Sequence, residues 1–241
     1  MMNFPNRRFS KTLPLAAAVA ILVFCVFAPS LYNGFVSWDD ERYLVHNPHW
    51  KGMSWSHLVW MFTASFDAGL YMPITWMSLG LDYVVWEMNP FGYHLTNVIL
   101  HQFNAVLLYY LFIMLLTFRM HAADRAATWH QLFGAFIGTL FFAVHPLRVE
   151  SVTWVTERRD VLSGFFYVLT IMAYLKAYEF EGDKKVRNRW LRWCLGVYTL
   201  SLLAKPWGIT LPAVLIILDF YPLNRFGPHS RRHLSLWKLC L

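Results

Sequence analysis

Long apolar runs separated by short polar stretches organise this chain. Runs approaching the roughly 20 residues needed to cross hydrocarbon lie at about 13–32, 93–118, 132–144, 161–178, 193–204 and 207–221, and they predict about six membrane spans. The runs are unbroken and do not alternate every second residue, so they read as helices and not as barrel strands. Two shorter patterns sit between the first and second spans. Trp55, Leu58, Val59, Phe62 and Phe66 recur at helical spacing, as in an amphipathic helix lying in the membrane interface. Residues 73–88 are apolar but for a stripe of Thr75, Ser78 and Asp82. At about 1.5 Å per residue this segment is too short to cross comfortably, so a helix on or dipping into the outer face is expected. The pattern predicts an all-α polytopic membrane protein. It forms one membrane module over residues 1–241, with an outside loop at 33–92 and no soluble domain. The last residues, 235–241, read as the start of another apolar element, as they would in an N-terminal fragment of a longer chain.

Composition agrees with this reading. The chain is 57% hydrophobic and 15% charged, against about 25% charged in soluble domains. Its net charge of +7 is not a nucleic-acid signal, because the basic residues follow the topology. Arg7, Arg8 and Lys11 precede the first span. With six crossings, all 21 basic residues except Arg42, Lys51, Arg148, Arg158, Arg159 and Lys205 share their side, which is the cytoplasmic side by the positive-inside rule. A crossing at 73–88 would instead turn the most basic loop, 179–192, outward. Cys25, Cys194 and Cys240 lie in or beside apolar runs and form no disulfide framework or metal motif. The first run is long for a signal peptide, and Pro29 is a poor cleavage context, so a retained span is expected.

The outside segments concentrate chemistry. Residues 34–43 carry Asp39, Asp40, Glu41 and Arg42 immediately after the first span. A carboxylate cluster at the mouth of a membrane helix is costly to desolvate, so it faces water or does chemistry. A carboxylate there can act as general base toward a hydroxyl, and Arg42, Arg158, Arg159 and Lys205 can clamp a phosphate. His94, Asn97, His101 and Asn104 share one face of the second span. That face either hydrogen-bonds between helices or lines a polar cavity, to which His145 and Glu150 are also assigned. Each assignment has a structural counterpart. Asp39 and Asp40 can cap a helix, Arg158 and Arg159 can pair with Glu157 and Asp160, Lys205 can snorkel, and His145 can simply end a helix. A continuous helix over 147–160 would put Arg148 and Arg159 on one face and Glu150 and Glu157 on another, as two subsites. No carboxylate–histidine spacing forms a known metal motif, and a divalent ion is left open.

An ordered series of short motifs then stands out. It begins with Trp38-Asp39-Asp40-Glu41-Arg42-Tyr43 and Asn47, then Tyr71-Met72-Pro73-Ile74-Thr75 with Leu81-Asp82. Asn89-Pro90-Phe91-Gly92-Tyr93-His94-Leu95-Thr96-Asn97 follows, with Leu100-His101 and Asn104. Later come Phe142-Ala143-Val144-His145-Pro146, Glu150-Ser151-Val152-Thr153-Trp154-Val155, Arg158-Arg159-Asp160-Val161-Leu162-Ser163 and Lys205-Pro206-Trp207-Gly208-Ile209-Thr210-Leu211-Pro212. In this order, over 35–219, the chain resembles the transmembrane and tetratricopeptide-repeat O-mannosyltransferases and their bacterial relatives, of the GT-C class. The resemblance implies a GT-C-like helical bundle using a polyprenyl-phosphate sugar donor on the non-cytoplasmic face, with mannose as a candidate sugar and a protein or lipid hydroxyl as acceptor. It implies Asp39 as base, Asp40 as its support or a metal contact, and Arg42 as a phosphate contact, with Arg158, Arg159 and Lys205 as further phosphate candidates. A bacterial inner membrane with a periplasmic site and cytoplasmic N-terminus is expected. The chain departs from the family at Met72, where members often carry Arg or Lys before the proline, and it is much shorter than they are. The rival expectation is a non-catalytic lipid-binding, lipid-transporting or scaffold membrane protein that uses the same cations to hold anionic head groups.

Overall fold

The computed structural model describes residues 7–64, 71–118, 127–179 and 183–225. Its regular elements are helical, with no strand among the described residues. Helix α1 (Arg7–Phe27) runs into a 3₁₀ turn at Ala28–Tyr32, where Pro29 stops the α-helical hydrogen-bond ladder. The helices that follow are α2 (Trp55–Thr63), α3 (Pro73–Trp86), α4 (Pro90–Thr117), α5 (Trp129–Ala143), α6 (Arg148–Thr153), α7 (Arg158–Glu179), α8 (Lys184–Ala204) and α9 (Leu211–Phe220). Local caps set several starts. Asn89 Oδ1 accepts from Phe91 N at 3.2 Å with Pro90 at the first helical position, and Asp183 Oδ1 accepts from Lys185 N and Val186 N at 2.9 and 3.1 Å.

A helix forms at each of the six expected span positions. Three segments, Lys11–Tyr32, Pro90–Thr117 and Arg158–Glu179, are long and apolar enough to cross a membrane. The other three fall short for different reasons. With 15 residues, α5 reaches only about 22 Å at 1.5 Å per residue. The first half of α8 carries Lys184, Lys185, Arg187, Arg189 and Arg192, and α9 has only 10 residues after the 3₁₀ turn at Pro206–Thr210.

Helix α4 is the central pillar and packs on α1, α3, α5, α6 and α7, while α7 and α8 form the most extensive pair. Val19, Val23 and Phe27 of α1 meet Val98 and Ala105 of α4 in one buried cluster with Ala143, Val152 and Val161. The stretch between α1 and α4 folds as a cap with a core of its own: Leu44, Trp50, Met61, Met72, Trp76 and Leu79, closed by Tyr93 and Val155. The cap presses so closely on α3 that a Cβ at Gly80 would stand 2.9 Å from Gly52 O and 3.1 Å from Trp50 O.

The two loop helices sit differently. Helix α2 turns Met61 inward and leaves Trp55, Val59 and Phe62 exposed along one side, which suits a helix in the interface; Phe66 lies outside the described residues. Helix α3 is turned inside out relative to a water-soluble helix. Its stripe of Thr75, Ser78 and Asp82 faces the bundle, and Leu81, Val84 and Val85 are exposed. The expected element at 235–241 lies outside the described residues.

Candidate functional site

The start of α4, the ends of α5 and α8, α6 and the start of α7 meet at one end of the bundle under the cap, as alternating helix direction requires. Their meeting point is the segment from Thr156 to Asp160. No continuous helix runs over 147–160. α6 ends at Trp154, whose N–H bonds Glu150 O, and a tight turn leads into α7 through Glu157 N to Trp154 O at 3.2 Å and Arg158 N to Val155 O at 3.0 Å. In such a turn consecutive side chains share no helix face, so each reaches a different element. The expected pair of helical subsites is therefore not formed.

Thr156 takes the acidic loop. Asp40 is fully buried. Its Oδ1 accepts from Thr156 N at 3.0 Å and from the Thr156 hydroxyl, and its Oδ2 accepts from Val36 N at 3.0 Å. Arg158, also fully buried, takes the cap. Its Nη2 donates to Asp82 Oδ2 at 2.7 Å and to Tyr93 O at 2.8 Å, Nη1 donates to Ser78 Oγ at 3.0 Å, and Nε donates to Asn97 Oδ1. Four of its five N–H groups are thus bonded inside the protein, and the buried guanidinium presents none to solvent.

Glu157, Arg159, Asp160 and Lys205 form a second network nearer the surface. Arg159 donates to Glu157 Oε1 through Nε at 3.1 Å and through Nη2. Lys205 Nζ donates to Glu157 Oε2 at 3.1 Å and to Asp160 Oδ1, and its ammonium stands 5.1 Å from the exposed Trp207 ring. Asp160 Oδ2 accepts from Ser151 Oγ at 3.0 Å. Burial pushes the Glu157 carboxyl up, but hydrogen bonds and charge from Arg159 and Lys205 outweigh it and hold the group below its usual range.

Asp39 contrasts with its neighbour. It is half-buried, its carboxylate makes no hydrogen bond or ion pair among the described residues, and it is close enough to Arg159 for the two charges to interact. Arg42 is exposed, with its guanidinium 5.6 Å from the Tyr43 ring and no acidic partner among the described residues. This end of the bundle therefore brings Asp39, Arg159, Glu157, Lys205 and Asp160 into one charged cluster.

Most of the polar face of α4 hydrogen-bonds between helices. Asn97 Nδ2 donates to Trp154 O at 3.1 Å, His101 Nε2 lies 2.8 Å from Ala143 O, and Asn104 Nδ2 donates to Val161 O at 2.8 Å. A cavity of about 80 Å³ is lined by His101, Asn104, Phe142, Arg148, Ser151 and Asp160. His94, Asn97, His145 and Glu150 are not in its wall. His145 closes the end of α5, its Nδ1 accepting from Leu147 N at 3.2 Å, and Glu150 is exposed. Among the described residues, no group of three or more His, Cys, Asp or Glu side chains is placed to hold a metal ion. Asp82, Thr156 and Ser151 belong to these networks without having been singled out in the sequence for them. The one signal was the polar stripe of α3, which contains Asp82.

No family model matches the chain, and no solved structure matches it. Curated relatives do. Protein O-mannosyl-transferase TMTC4 of Homo sapiens is 27% identical over 227 residues, covering 86% of this chain and 29% of the relative. Protein O-mannosyl-transferase Tmtc3 of Drosophila melanogaster is 30% identical over 178 residues, covering 69% and 19%. Protein O-mannosyl-transferase TMTC1 of Homo sapiens is 28% identical over 239 residues, covering 91% and 25%. The chain thus spans less than a third of the length of the relatives it matches. Across most of its own length, the chain is a relative of the TMTC-family protein O-mannosyl-transferases, whose ordered motifs it resembles.

Proposed function

We propose that this chain is the membrane part of a glycosyltransferase. It moves a sugar, mannose by the names of its relatives, from a polyprenyl-phosphate donor to a hydroxyl group, on a protein acceptor by those same names. The reaction takes place on the non-cytoplasmic face, which is the periplasm if the membrane is a bacterial inner membrane. One observation carries the reading. Of the two adjacent aspartates, Asp40 is consumed in holding the loop, and Asp39 is left with an unbonded carboxylate near Arg159, at the edge of a network in which Arg159 and Lys205 pair with Glu157 and Asp160.

Asp39 accepts the proton of the acceptor hydroxyl as its oxygen attacks the anomeric carbon. The bond from that carbon to the phosphate oxygen breaks, and the electron pair leaves with the polyprenyl phosphate. Arg42, Arg159 and Lys205 are the cations assigned to take the developing charge. Arg159 and Lys205 reach it by exchanging contacts with Glu157 and Asp160. Arg158 has no part in this step, because it is committed to Asp82. Asp40 is assigned to holding the loop and not to a metal ion.

The test is transfer of radiolabelled sugar from polyprenyl-phosphate-mannose by membranes carrying the full reading frame, wild type beside Asp39→Asn. Label transferred by wild type and lost in the variant, with donor binding retained, is the expected result. Donor binding without transfer in wild type would favour the non-catalytic lipid-binding reading. Equal transfer by both would remove Asp39 from the mechanism.

A further inference from the structure

Arg148 is, among the described residues, the half-buried cation at this end of the bundle that the protein leaves uncommitted. Arg158 is bound to Asp82, Arg159 to Glu157, and Lys205 to Glu157 and Asp160. Lys51 Nζ donates to Val45 O at 2.7 Å, and Arg42 is exposed. The Arg148 guanidinium makes no hydrogen bond or ion pair among the described residues. It stands 5.0 Å from the Phe142 ring, a contact that steadies it without using its N–H groups. A half-buried guanidinium with idle donors calls for an acceptor.

The acceptor has a place. Arg148 is in the wall of the cavity of about 80 Å³ lined by α4, α5, α6 and α7. By the roughly 30 Å³ that one water takes in the liquid, this space admits a small polar group and no whole sugar ring. Next to Arg148 in the wall are Ser151 and Asp160, the latter with Oδ1 on Lys205 and Oδ2 accepting from Ser151 Oγ at 3.0 Å. Both oxygens of that carboxylate are therefore bonded, and Lys205 balances its charge. Val161, Gly164 and Val168 continue the wall along one face of α7, down the span. Asn104 Oδ1 is buried and unbonded; as an acceptor it meets a phosphate oxygen only through a water. Unused N–H groups above an apolar seam fit an anionic head group that carries a lipid tail.

We infer that Arg148 binds the phosphate of the lipid-linked donor. Its guanidinium donates to two phosphate oxygens, the tail leaves along the α7 seam, and the sugar projects past Asp160 toward the cluster that holds Arg159 and Asp39. Unlike Arg159 and Lys205, Arg148 gives up no hydrogen bond to do this. The identity of the lipid rests on the transferase reading above, whereas binding of a lipid phosphate at Arg148 does not.

The experiment measures binding of a short-chain polyprenyl phosphate, the matching polyprenol and inorganic phosphate to the purified full chain. Wild type is compared with Arg148→Gln, Arg148→Lys and Gly164→Leu, with thermal unfolding of each. Arg148→Gln is expected to keep the wild-type unfolding midpoint and to lose at least about fivefold in affinity for polyprenyl phosphate, with polyprenol binding unchanged. Arg148→Lys keeps the charge and should recover part of the loss. A smaller loss in Arg148→Gln would overturn the inference. So would inorganic phosphate binding as tightly as polyprenyl phosphate, which would mark a site for a free anion. A Cβ at Gly164 meets Asn104 Nδ2 at an ordinary 3.6 Å, so Gly164→Leu narrows the cavity from its other wall; if Arg148→Gln does not fold, this variant decides by the same threshold. In sugar transfer, the donor KM of Arg148→Gln should rise by the same factor as the binding loss. A wild type that binds polyprenyl phosphate through Arg148 yet transfers no sugar would sink the transferase reading and leave the site standing. Transfer by Arg148→Gln with an unaltered donor KM would do the reverse.

Discussion

Arg158 Nη2 lies 2.7 Å from Asp82 Oδ2, and this pair fastens the folded cap to the helix bundle. The guanidinium also reaches Ser78, Asn97 and the Tyr93 carbonyl, so one residue at the start of α7 holds two cap positions and the first two turns of α4. Removing one member of a buried ion pair leaves the other charged and unpaired, which costs about 3–5 kcal/mol. Arg158→Ala and Asp82→Ala are each expected to lower the unfolding midpoint of the purified protein accordingly. Arg158→Lys should not rescue, because an ammonium cannot reach four acceptors in that planar arrangement. A loss of less than about 1 kcal/mol in either alanine variant would show that the cap is held by its apolar core alone.

The two adjacent aspartates should separate cleanly by experiment. Asp40 accepts from two backbone N–H groups and a hydroxyl. Asp40→Ala leaves the two buried Thr156 donors unpaired and is expected to cost about 1–3 kcal/mol. Asp39 makes no such bond, so Asp39→Asn should leave stability within about 0.5 kcal/mol while lowering transfer by about 10²–10⁴-fold. Melting curves and initial rates on the same preparations check both halves. A large stability loss in Asp39→Asn would mean that its carboxylate has a structural partner.

Elements were more legible in the sequence than partners. The apolar runs placed helices at all six span positions, because hydropathy and period depend only on nearby residues. The stripe of Thr75, Ser78 and Asp82 was visible too, but periodicity cannot name its partner, and Arg158 lies 76 positions from Asp82. The break at Trp154–Glu157 carries no glycine or proline, so nothing local announced that Arg158 and Arg159 would point to different networks. Nor could the sequence say which of Asp39 and Asp40 turns inward, since that depends on the turn closed by Val36 N. The span count remains the coarsest point: length and apolarity qualify three helices, where the pattern of runs suggested about six.

Glu157 supplies a pH dependence. Its folded pKa is held below the unfolded value, so the carboxylate's contribution to stability is complete above the ordinary glutamate value of about 4.3 and is lost as pH falls through the lower folded value. The midpoint of thermal unfolding should therefore fall as pH is lowered below about 4. Glu157→Gln should start lower at neutral pH and lose less on acidification, because it has no charge to surrender to Arg159 and Lys205. Parallel pH profiles for the two proteins would show that Glu157 does not drive the acid limb.

Gly92 tests how tightly the cap meets α4. A Cβ built there would stand 2.1 Å from Trp86 Cγ, inside the indole that folds over the helix start. An alanine would gain helix propensity, yet the clash dominates unless Trp86 moves, and overpacking of this kind costs about 1–3 kcal/mol. Gly92→Ala should be destabilising, and Gly92→Ala combined with Trp86→Ala should recover part of the loss. Chemical denaturation of these two variants and of Trp86→Ala alone measures this coupling, and additive effects would mean that the clash with Trp86 is not what Gly92→Ala costs.

The inside-out packing of α3 decides where the cap sits relative to the bilayer. Leu81, Val84 and Val85 point away from the bundle, Val85 at 70% exposure, while the polar stripe points in. Water on the outer face would make this arrangement costly, whereas lipid would make it natural, since hydrocarbon solvates apolar side chains and the stripe finds its partners inside. Val85→Asp distinguishes the two environments. At hydrocarbon depth an aspartate costs up to about 2.5–3.5 kcal/mol, with less near the interface, and the folded, membrane-integrated yield should fall. In water the same change should stay within about 0.5 kcal/mol. A neutral outcome would lift α3 out of the bilayer and leave Arg158 and its partners above the lipid. A costly one would place the charged cluster at the level where a lipid-linked phosphate carries its head group.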